Sequence, residues 1–522
     1  MSASRSPHAR ARHPRRSHGG RLSCLLALAL TGCADVLGLA PLAAGGAGQG
    51  GAGDAGQGGS GGDGGGALPG VCGNGVVEAG EACDDQNELS GDGCRACRRV
   101  VALSSGDVHA CALVDDGSVR CWGRNDQGQL GQGDTMARGT SPEHMGAGLP
   151  PIELGTDEAG APLRAVSLCS GSEHSCVAFE DGRVKCWGGT YSGQLGLGEP
   201  YPRGDEPGEM GDLLPFVELG TDGAGNLLRA VEVVCGFEHS CARFDDGRVK
   251  CWGLNTSGEL GLGQAFALVG DQLGDMGDNL PFVDVCGACS VDALRAGPLG
   301  TCALASGQPY CWGSNYYGQL ARGDTEHGYV PEPFDGLAVS PVLDVRLGYG
   351  AICLLGDAPR RVVCAGWSGV GELGYTIGSA DCAADPAACV GDAPGEAADA
   401  PQALLLAEPE ALFASPGRLC ARLVTGVTQC WGLNVYGSLG VGSDQYQLAP
   451  TPLALSSPLA ALASGDDHAC GLLEDARVVC WGHNAFGQLG NGLTLDASCE
   501  APDCVGDDAQ DAGDEAPPTL VP

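Results

Sequence analysis

One motif, written seven times, constrains this chain more than any other feature. It stands most plainly as HSCARFDDGRVKCWGLNTSGELGLG, from His239 to Gly263. Trp122, Trp187, Trp252, Trp312, Trp431 and Trp481 mark six copies by sitting in Cys-Trp-Gly, and the fifth copy reads Cys364-Ala365-Gly366-Trp367. Within a copy, a stretch such as ACALVDDGSVRCW (Ala110 to Trp122) alternates apolar residues on either side of Asp-Asp-Gly, the pattern of a β-hairpin. A polar turn and Gly-Gln-Leu-Gly or a near copy follow, where glycine permits positive φ and leucine can enter an apolar seam. Next come a proline-led apolar stretch (LPPIEL, LPFVEL, LPFVDV, SPVLDV, APQALLL, TPLAL) and a second apolar stretch ending near a glycine. About four short strands per copy, recurring roughly every 50 to 65 residues, predict an all-β, seven-bladed propeller. The first copy has no proline-led stretch before it, whereas Pro517 to Pro522 follow the seventh with nothing to join. The C-terminal strand is therefore expected to complete the first blade and close the ring.

The cysteines test the register. Cys111 and Cys121, Cys176 and Cys186, Cys241 and Cys251, Cys302 and Cys311, Cys353 and Cys364, Cys420 and Cys430, and Cys470 and Cys480 stand ten, nine or eleven residues apart. Where the separation changes, so does the turn between them: three residues in Asp115-Asp116-Gly117, two in Ser306-Gly307, four from Asp357 to Arg360. Each pair therefore stays directly opposed, and one disulfide per blade is expected at close, non-hydrogen-bonded positions. Cys286 with Cys289, Cys382 with Cys389, and Cys499 with Cys504 sort into further pairs. Whether Cys169 reaches Cys235 in the next blade stays open. Cys286-Gly-Ala-Cys289 has no second ligand pair at zinc spacing.

The combination G-x-x-H-[ST]-C-A-L, D-G-x-V-x-C-W-G-x-N and G-Q-L-G resembles the regulator of chromosome condensation repeat, a seven-bladed β-propeller family. The resemblance runs from about Val101 to Pro522. Several copies depart from it: Ala365 replaces Trp, Ala321 the last Gly of its motif, Ala476 the turn Gly and Ser415 the blade Gly, and copies four to six lack the His found at His109, His174, His239 and His468.

Ahead of the repeats, residues 1–32 are basic and then apolar, too short to span a bilayer and read as a signal peptide. They end in Leu30-Thr31-Gly32-Cys33, which matches the bacterial lipobox, so Cys33 is the expected site of lipidation and stable anchoring. Residues 33–70 are Gly-rich, a tether on the order of 35 Å r.m.s.. Residues 71–98 resemble the Myxococcus cysteine-rich repeat, a small disulfide-rich module in which Cys72, Cys83, Cys94 and Cys97 allow three connectivities. The propeller occupies residues 99–522.

The formal net charge of −37 repels phosphate backbones, so no nucleic-acid partner is expected, and the nuclear roles of the family's namesake do not carry over. Oxidised cysteines and a lipid anchor imply the bacterial cell envelope, with the outer membrane or cell surface favoured. No Ser-His-Asp set, H-E-x-x-H or phosphate loop is present, and the recurring histidines read as a structural hydrogen bond. Acidic loops such as Asp205, Glu206, Glu209 and Asp212 are candidate calcium ligands, with ordinary solvated loops as the plainer reading; no other cofactor is expected. Tyr191, Tyr316, Tyr317, Tyr436 and Phe486 fall shortly after Cys-Trp-Gly and are candidates for a contact rim or for packing between blades. The expected function is a non-enzymatic, monomeric, lipid-anchored propeller that binds a protein partner, inhibition included. The alternatives are a metal-dependent hydrolase and a glycan-binding rim.

Overall fold

A computed structural model describes residues 94–95, 98–265, 268–335, 337, 339–375, 389–393, 404 and 406–492. They form seven antiparallel sheets, one per repeat. Blade 1 contains Arg98–Ser105, His109–Val114 and Val119–Gly123; blade 2, Ala165–Ser170, His174–Phe179 and Val184–Gly188; blade 3, Ala230–Cys235, His239–Phe244 and Val249–Gly253. Blade 4 contains Ala293–Gly297, Gly300–Ala305, Gln308–Gly313 and Gly328–Pro333; blade 5, Val342–Leu347, Ala351–Asp357, Arg360–Trp367 and Cys389–Val390. Blade 6 contains Pro409–Ser415, Arg418–Leu423, Thr428–Gly432 and Gln447–Pro452; blade 7, Leu459–Ser464, His468–Leu473 and Val478–Gly482. The first strand of each blade touches the first strand of the next, and that of blade 7 touches that of blade 1. Among the described residues no helix is long and apolar enough to cross a membrane.

The core lies in the seams. Leu113 and Val119 of blade 1 pack with Leu168 and Trp187 of blade 2, and Ala178 and Val184 of blade 2 with Val233 and Trp252 of blade 3. At the junction of blades 7 and 1, Val100, Leu103 and Trp122 share a cluster with Leu459, Leu472 and Trp481. Each of the six buried Cys-Trp-Gly indoles donates Nε1–H to a carbonyl in the Gly-Gln-Leu-Gly-type turn of the preceding blade, as Trp187 to Gln129, Trp252 to Gln194, and Trp122 to Gln488 across the 7–1 junction. The repeat motif is thus a seam device, its turn in one blade capping the tryptophan of the next.

The proline-led stretches differ from the expected strands. LPPIEL makes one ladder-type bond, Ile152 N–H to Val119 O, and LPFVEL and LPFVDV likewise make one each, from Val217 to Val184 and from Val283 to Val249. Proline has no N–H to donate, so these segments lie along the blade edge without extending the ladder. SPVLDV instead supplies the first strand of blade 5. On the outer strand of blade 1, Gly123 pairs with Arg138 and the Val119 carbonyl accepts the Ile152 N–H. Residues 517–522, like Cys33, Cys72, Cys83, Cys97, Cys382, Cys499 and Cys504, lie outside the described residues. Cys94 is described, in a short strand that hairpins onto Arg98–Arg99 at the start of blade 1.

All seven hairpin pairs are bonded. Cys111 is joined to Cys121, Cys176 to Cys186, Cys241 to Cys251 and Cys302 to Cys311, with Cα atoms 4.1 Å apart in each. Cys353 is joined to Cys364, Cys420 to Cys430 and Cys470 to Cys480, at 4.0–4.1 Å. In every blade the two cysteines are directly opposed in the ladder, as Cys111 faces Cys121 and Cys353 faces Cys364, and all of them are buried. These sulfurs therefore brace the blades from within and offer nothing to a ligand at the surface. Cys286 is bonded to Cys289, and Cys389 is disulfide-bonded. Cys169 and Cys235 also pair, at 5.5 Å between Cα atoms. They end the first strands of blades 2 and 3, where neighbouring blades approach at the centre of the ring, so the distance that would separate them farther out does not arise.

Candidate binding face

Each post-tryptophan loop that carries an asparagine is folded by it. Asn125 Oδ1 accepts the Leu130 N–H at 2.9 Å and its Nδ2 donates to Asp134 O at 2.7 Å; Asn255, Asn315, Asn434 and Asn484 accept the corresponding leucine amides. The leucine is drawn inward, which leaves the residues between the asparagine and the following glycine at the tip. The loop is bonded to the turn between the first two strands of its own blade, as Arg124 N to Val108 O and His483 N to Asp467 O. All these tips therefore share one face of the ring, opposite the hairpin turns.

The candidate aromatic residues sit on these tips. Tyr191 and Tyr316 are 70% and 62% exposed, and Phe486 39%, while Tyr317 and Tyr436 are half-buried. They also bridge blades. Tyr191 Oη donates to Gln127 Oε1 at 2.9 Å, Tyr317 stacks on Trp367 at 5.3 Å between centroids, Tyr436 stacks on His483 at 4.7 Å, and the Arg124 guanidinium lies 5.5 Å from the Phe486 centroid. Four of the five thus make the interblade packing posed above as one of two readings, and Tyr316 packs on His327 of its own blade at 4.4 Å between centroids. Trp367, His327 and Arg124 join this face without having been singled out; the displacement of Trp367 by two positions in Cys364-Ala365-Gly366-Trp367 was the available signal.

Beneath the face runs a histidine relay. His109 Nε2 lies 3.1 Å from Ser175 Oγ, His174 Nε2 3.0 Å from Ser240 Oγ, and His239 Nε2 3.0 Å from Thr301 Oγ1, each reaching the next blade. Burial lowers all three, His109 and His174 to about 3 and His239 to about 4, so they are neutral hydrogen-bonding groups at ordinary pH. A Cβ at Gly106, Gly171, Gly236 or Gly465 would run into the histidine ring of its own blade. Blade 6 has Arg418 in place of histidine, and there Ser415 replaces the glycine. Amide bonds link the same turns around the centre, Asp466 N to Asp107 O, Asp107 N to Ser172 O, Ser172 N to Phe237 O and Phe237 N to Pro298 O, and Pro298 and Pro416 cannot continue the series as donors.

In blade 5 the Gln position holds Glu372. Its carboxylate is fully buried and accepts the Tyr349 and Gly350 amides at 3.2 and 3.1 Å, and burial pushes it up to about 7.

The four candidate calcium ligands have separate duties. Glu209 closes its own loop by accepting the Gly204 and Glu206 amides and pairing with Arg203. Asp212 caps Thr156, accepting its amide at 2.7 Å and its hydroxyl. Burial, then the adjacent Glu209, pushes Asp205 up, and Glu206 is exposed. Among the described residues, the one group of three potential ligand side chains brought together is Cys169, Cys176 and Cys235, whose sulfurs are in disulfides.

Family models for the Regulator of chromosome condensation (RCC1) repeat match residues 100–129, 165–194, 230–259 and 460–488, the four blades that keep the histidine. A second model of the same repeat matches 116–178, 306–355 and 430–472. The ultraviolet-B receptor UVR8 of Arabidopsis thaliana is 26% identical over 358 residues, 68% of this chain and 69% of that protein. Human WBSCR16 superposes with a TM-score of 0.55 at 19% identity, covering 71% of this chain and 86% of that one. Prp20p of Saccharomyces cerevisiae, solved in a study of its binding to Gsp1p and histones, superposes with a TM-score of 0.54 at 18% identity, covering 74% and 83%. Repeat matches, sheet count and interlocking seams agree: the chain carries regulator of chromosome condensation repeats and is similar to that family of β-propellers.

Proposed function

We propose that this protein is a lipid-anchored, extracytoplasmic, non-enzymatic scaffold that binds another protein through the face of the post-tryptophan loops. The observation that carries the reading is the difference between the two faces. Tyr191, Tyr316 and Phe486 are exposed at the loop tips. The opposite hairpin turns are tipped by acids paired with arginines, as in Asp181–Arg183 and Asp246–Arg248. Amphipathic aromatics on a rigid support suit a protein contact, because little side-chain freedom is lost on binding. The protein partners named for Prp20p, Gsp1p and histones, support protein recognition by this fold, while the net charge of −37 argues against phosphate-rich ligands. Seven hairpin disulfides and Cys33 in a lipobox support an oxidising, membrane-attached setting.

The test is partner capture on full-length protein purified from membranes, with Cys33 checked by peptide mass. Tyr316→Ala and Tyr191→Ala should each weaken the captured complex about tenfold. Undiminished binding in both, with loss on substituting Arg183, would assign the opposite face.

A further inference from the structure

The loop face is divided in charge. Its inner ring consists of the turns between the first two strands of each blade, and amide bonds join those of blades 7, 1, 2, 3 and 4 around the centre. Over blades 7, 1, 2 and 3 these turns carry Asp466, Asp467, Asp107, Glu173 and Glu238; over blades 4, 5 and 6 they read Pro298-Leu299, Tyr349-Gly350 and Pro416-Gly417, without a charge. Arg418 lies against Asp466 and Asp467 and balances the blade 7 turn. Arg124 pairs with Asp126 at 2.5 Å and stands 3.8 Å from Glu173. Among the described residues no lysine or arginine pairs with Glu238, whose Oε2 accepts the Ser192 hydroxyl at 2.5 Å. The hairpin face is built the other way, with turn acids facing arginines, as Asp181 faces Arg183, Asp246 Arg248 and Asp475 Arg477.

Tyr191 is carried between the two glutamates. Its loop is bonded through the Gly189 N–H to the Glu173 carbonyl at 2.7 Å, and its neighbour Ser192 reaches Glu238 of the next blade. The tyrosine ring is 70% exposed and is held by the bond from its hydroxyl to Gln127. Both glutamates are half-buried, so salt screens their charges less than it screens those of fully exposed acids. A fixed, exposed aromatic ring with a carboxylate on either side fits a long cationic side chain, whose methylene stem lies on the ring while its head meets the carboxylates.

We infer that the partner bound on the loop face is basic where it meets blades 2 and 3: it lays a lysine or arginine side chain along Tyr191, with the cationic head at Glu173 and Glu238. It turns uncharged side chains toward Leu299, Tyr349 and Tyr316, over blades 4 and 5. This inference rests on the loop face being the contact surface and adds the chemistry of what that surface contacts. Charge on one half and none on the other fixes the direction in which a partner segment lies, because the reversed segment would set apolar groups against the carboxylates.

The probe is a fluorescein-labelled synthetic peptide in which alternating lysine and glycine are followed by alternating leucine and glycine. Anisotropy reads its binding to the purified full-length protein, beside the same peptide with glutamate in place of lysine. The lysine peptide should bind saturably and the glutamate peptide should not. Glu173→Gln combined with Glu238→Gln, which keeps an acceptor for Ser192, should weaken binding about tenfold and flatten its dependence on salt. Asp181→Asn combined with Asp246→Asn, on the hairpin face, should leave binding within about twofold. Equal losses in the two double variants would mean that the peptide answers to net charge alone and would overturn the inference. So would absence of binding, or binding unchanged in the Glu173 and Glu238 variant. If Tyr191→Ala and Tyr316→Ala still weaken the captured complex in any of those cases, the loop face stands as the contact surface and only the basic character of its partner falls.

Discussion

Blades 1 to 3 and blades 4 to 6 are built from the same repeat and hold together differently. In the first arc every seam repeats one set of contacts: an indole on a turn carbonyl, a histidine on a hydroxyl, an amide on the next turn. In the second arc the histidine contact is gone from every seam and the indole contact from one, while Trp431 and Trp481 keep theirs. Ala365 stands for tryptophan, Gly300, Ala351 and Arg418 for histidine, and Pro298 and Pro416 interrupt the amide series. The replacements are individual: a Tyr317–Trp367 stack, a buried carboxylate on two amides, a buried guanidinium on two carbonyls. A repeat fold therefore tolerates loss of its common contacts when the seam as a whole is rebuilt.

The comparison can be broken most sharply at tryptophan. Trp252→Ala, in the regular arc, should cost about 3–5 kcal/mol, whereas Trp367→Ala, a half-buried indole, should cost about 1 kcal/mol; denaturant midpoints of the two variants decide it, and equal losses would mean the arcs depend on tryptophan alike. Next is Glu372. Its folded value of about 7 exceeds the unfolded carboxyl range. A raised carboxyl contributes stability that is full below about pH 4.5 and is lost as pH climbs through 7, here on the order of 3 kcal/mol. Glu372→Gln should remove that share of the decline, so the stability gap between variant and wild type should shift toward the variant from pH 5 to pH 8. The smallest effects lie in the histidine relay. Thr301→Val strands the buried His239 Nε2 and should cost about 1–2 kcal/mol. His468 faces blade 1, which has Ala110 where Ser175 or Ser240 would stand, and neither of its ring nitrogens makes a well-formed hydrogen bond. Ala110→Ser should accordingly gain about 1 kcal/mol, read from the same unfolding curves.

Much of this was legible in the amino-acid order. The opposed cysteines announce seven hairpins because their spacing changes only with turn length, and the aromatic tips follow from their place after the Cys-Trp-Gly. The histidine relay was half legible: the histidines recur visibly, but their partner is the Ser or Thr of the following repeat, seen only once consecutive repeats are compared across a seam. The proline-led stretches misled because apolar content marks burial and says nothing of how many amides are free to pair. Cys169–Cys235 was undecidable from spacing, since its short span exists only where the blades crowd together at the centre. Glu372 gives no sign in sequence, where Gly371-Glu372-Leu373-Gly374 reads like Gly258-Glu259-Leu260-Gly261; yet Glu259 Oε2 accepts the Ser257 amide of its own loop and Glu372 turns to the preceding strands' turn.

Each hairpin disulfide fastens a blade to itself and leaves the ring, as a chain, open to cutting. Cys169–Cys235 is different, because it spans 66 positions of sequence and with them all of the second and third strands of blade 2. A protease that clips the exposed segment from Glu206 to Gly208 releases nothing, since both new ends stay on one covalent thread. The same clip near Leu273 yields two polypeptides joined by no described disulfide. Gels run with and without reductant after limited digestion would separate these two cases, and the protein carries its own insurance at the one acidic loop the bridge surrounds.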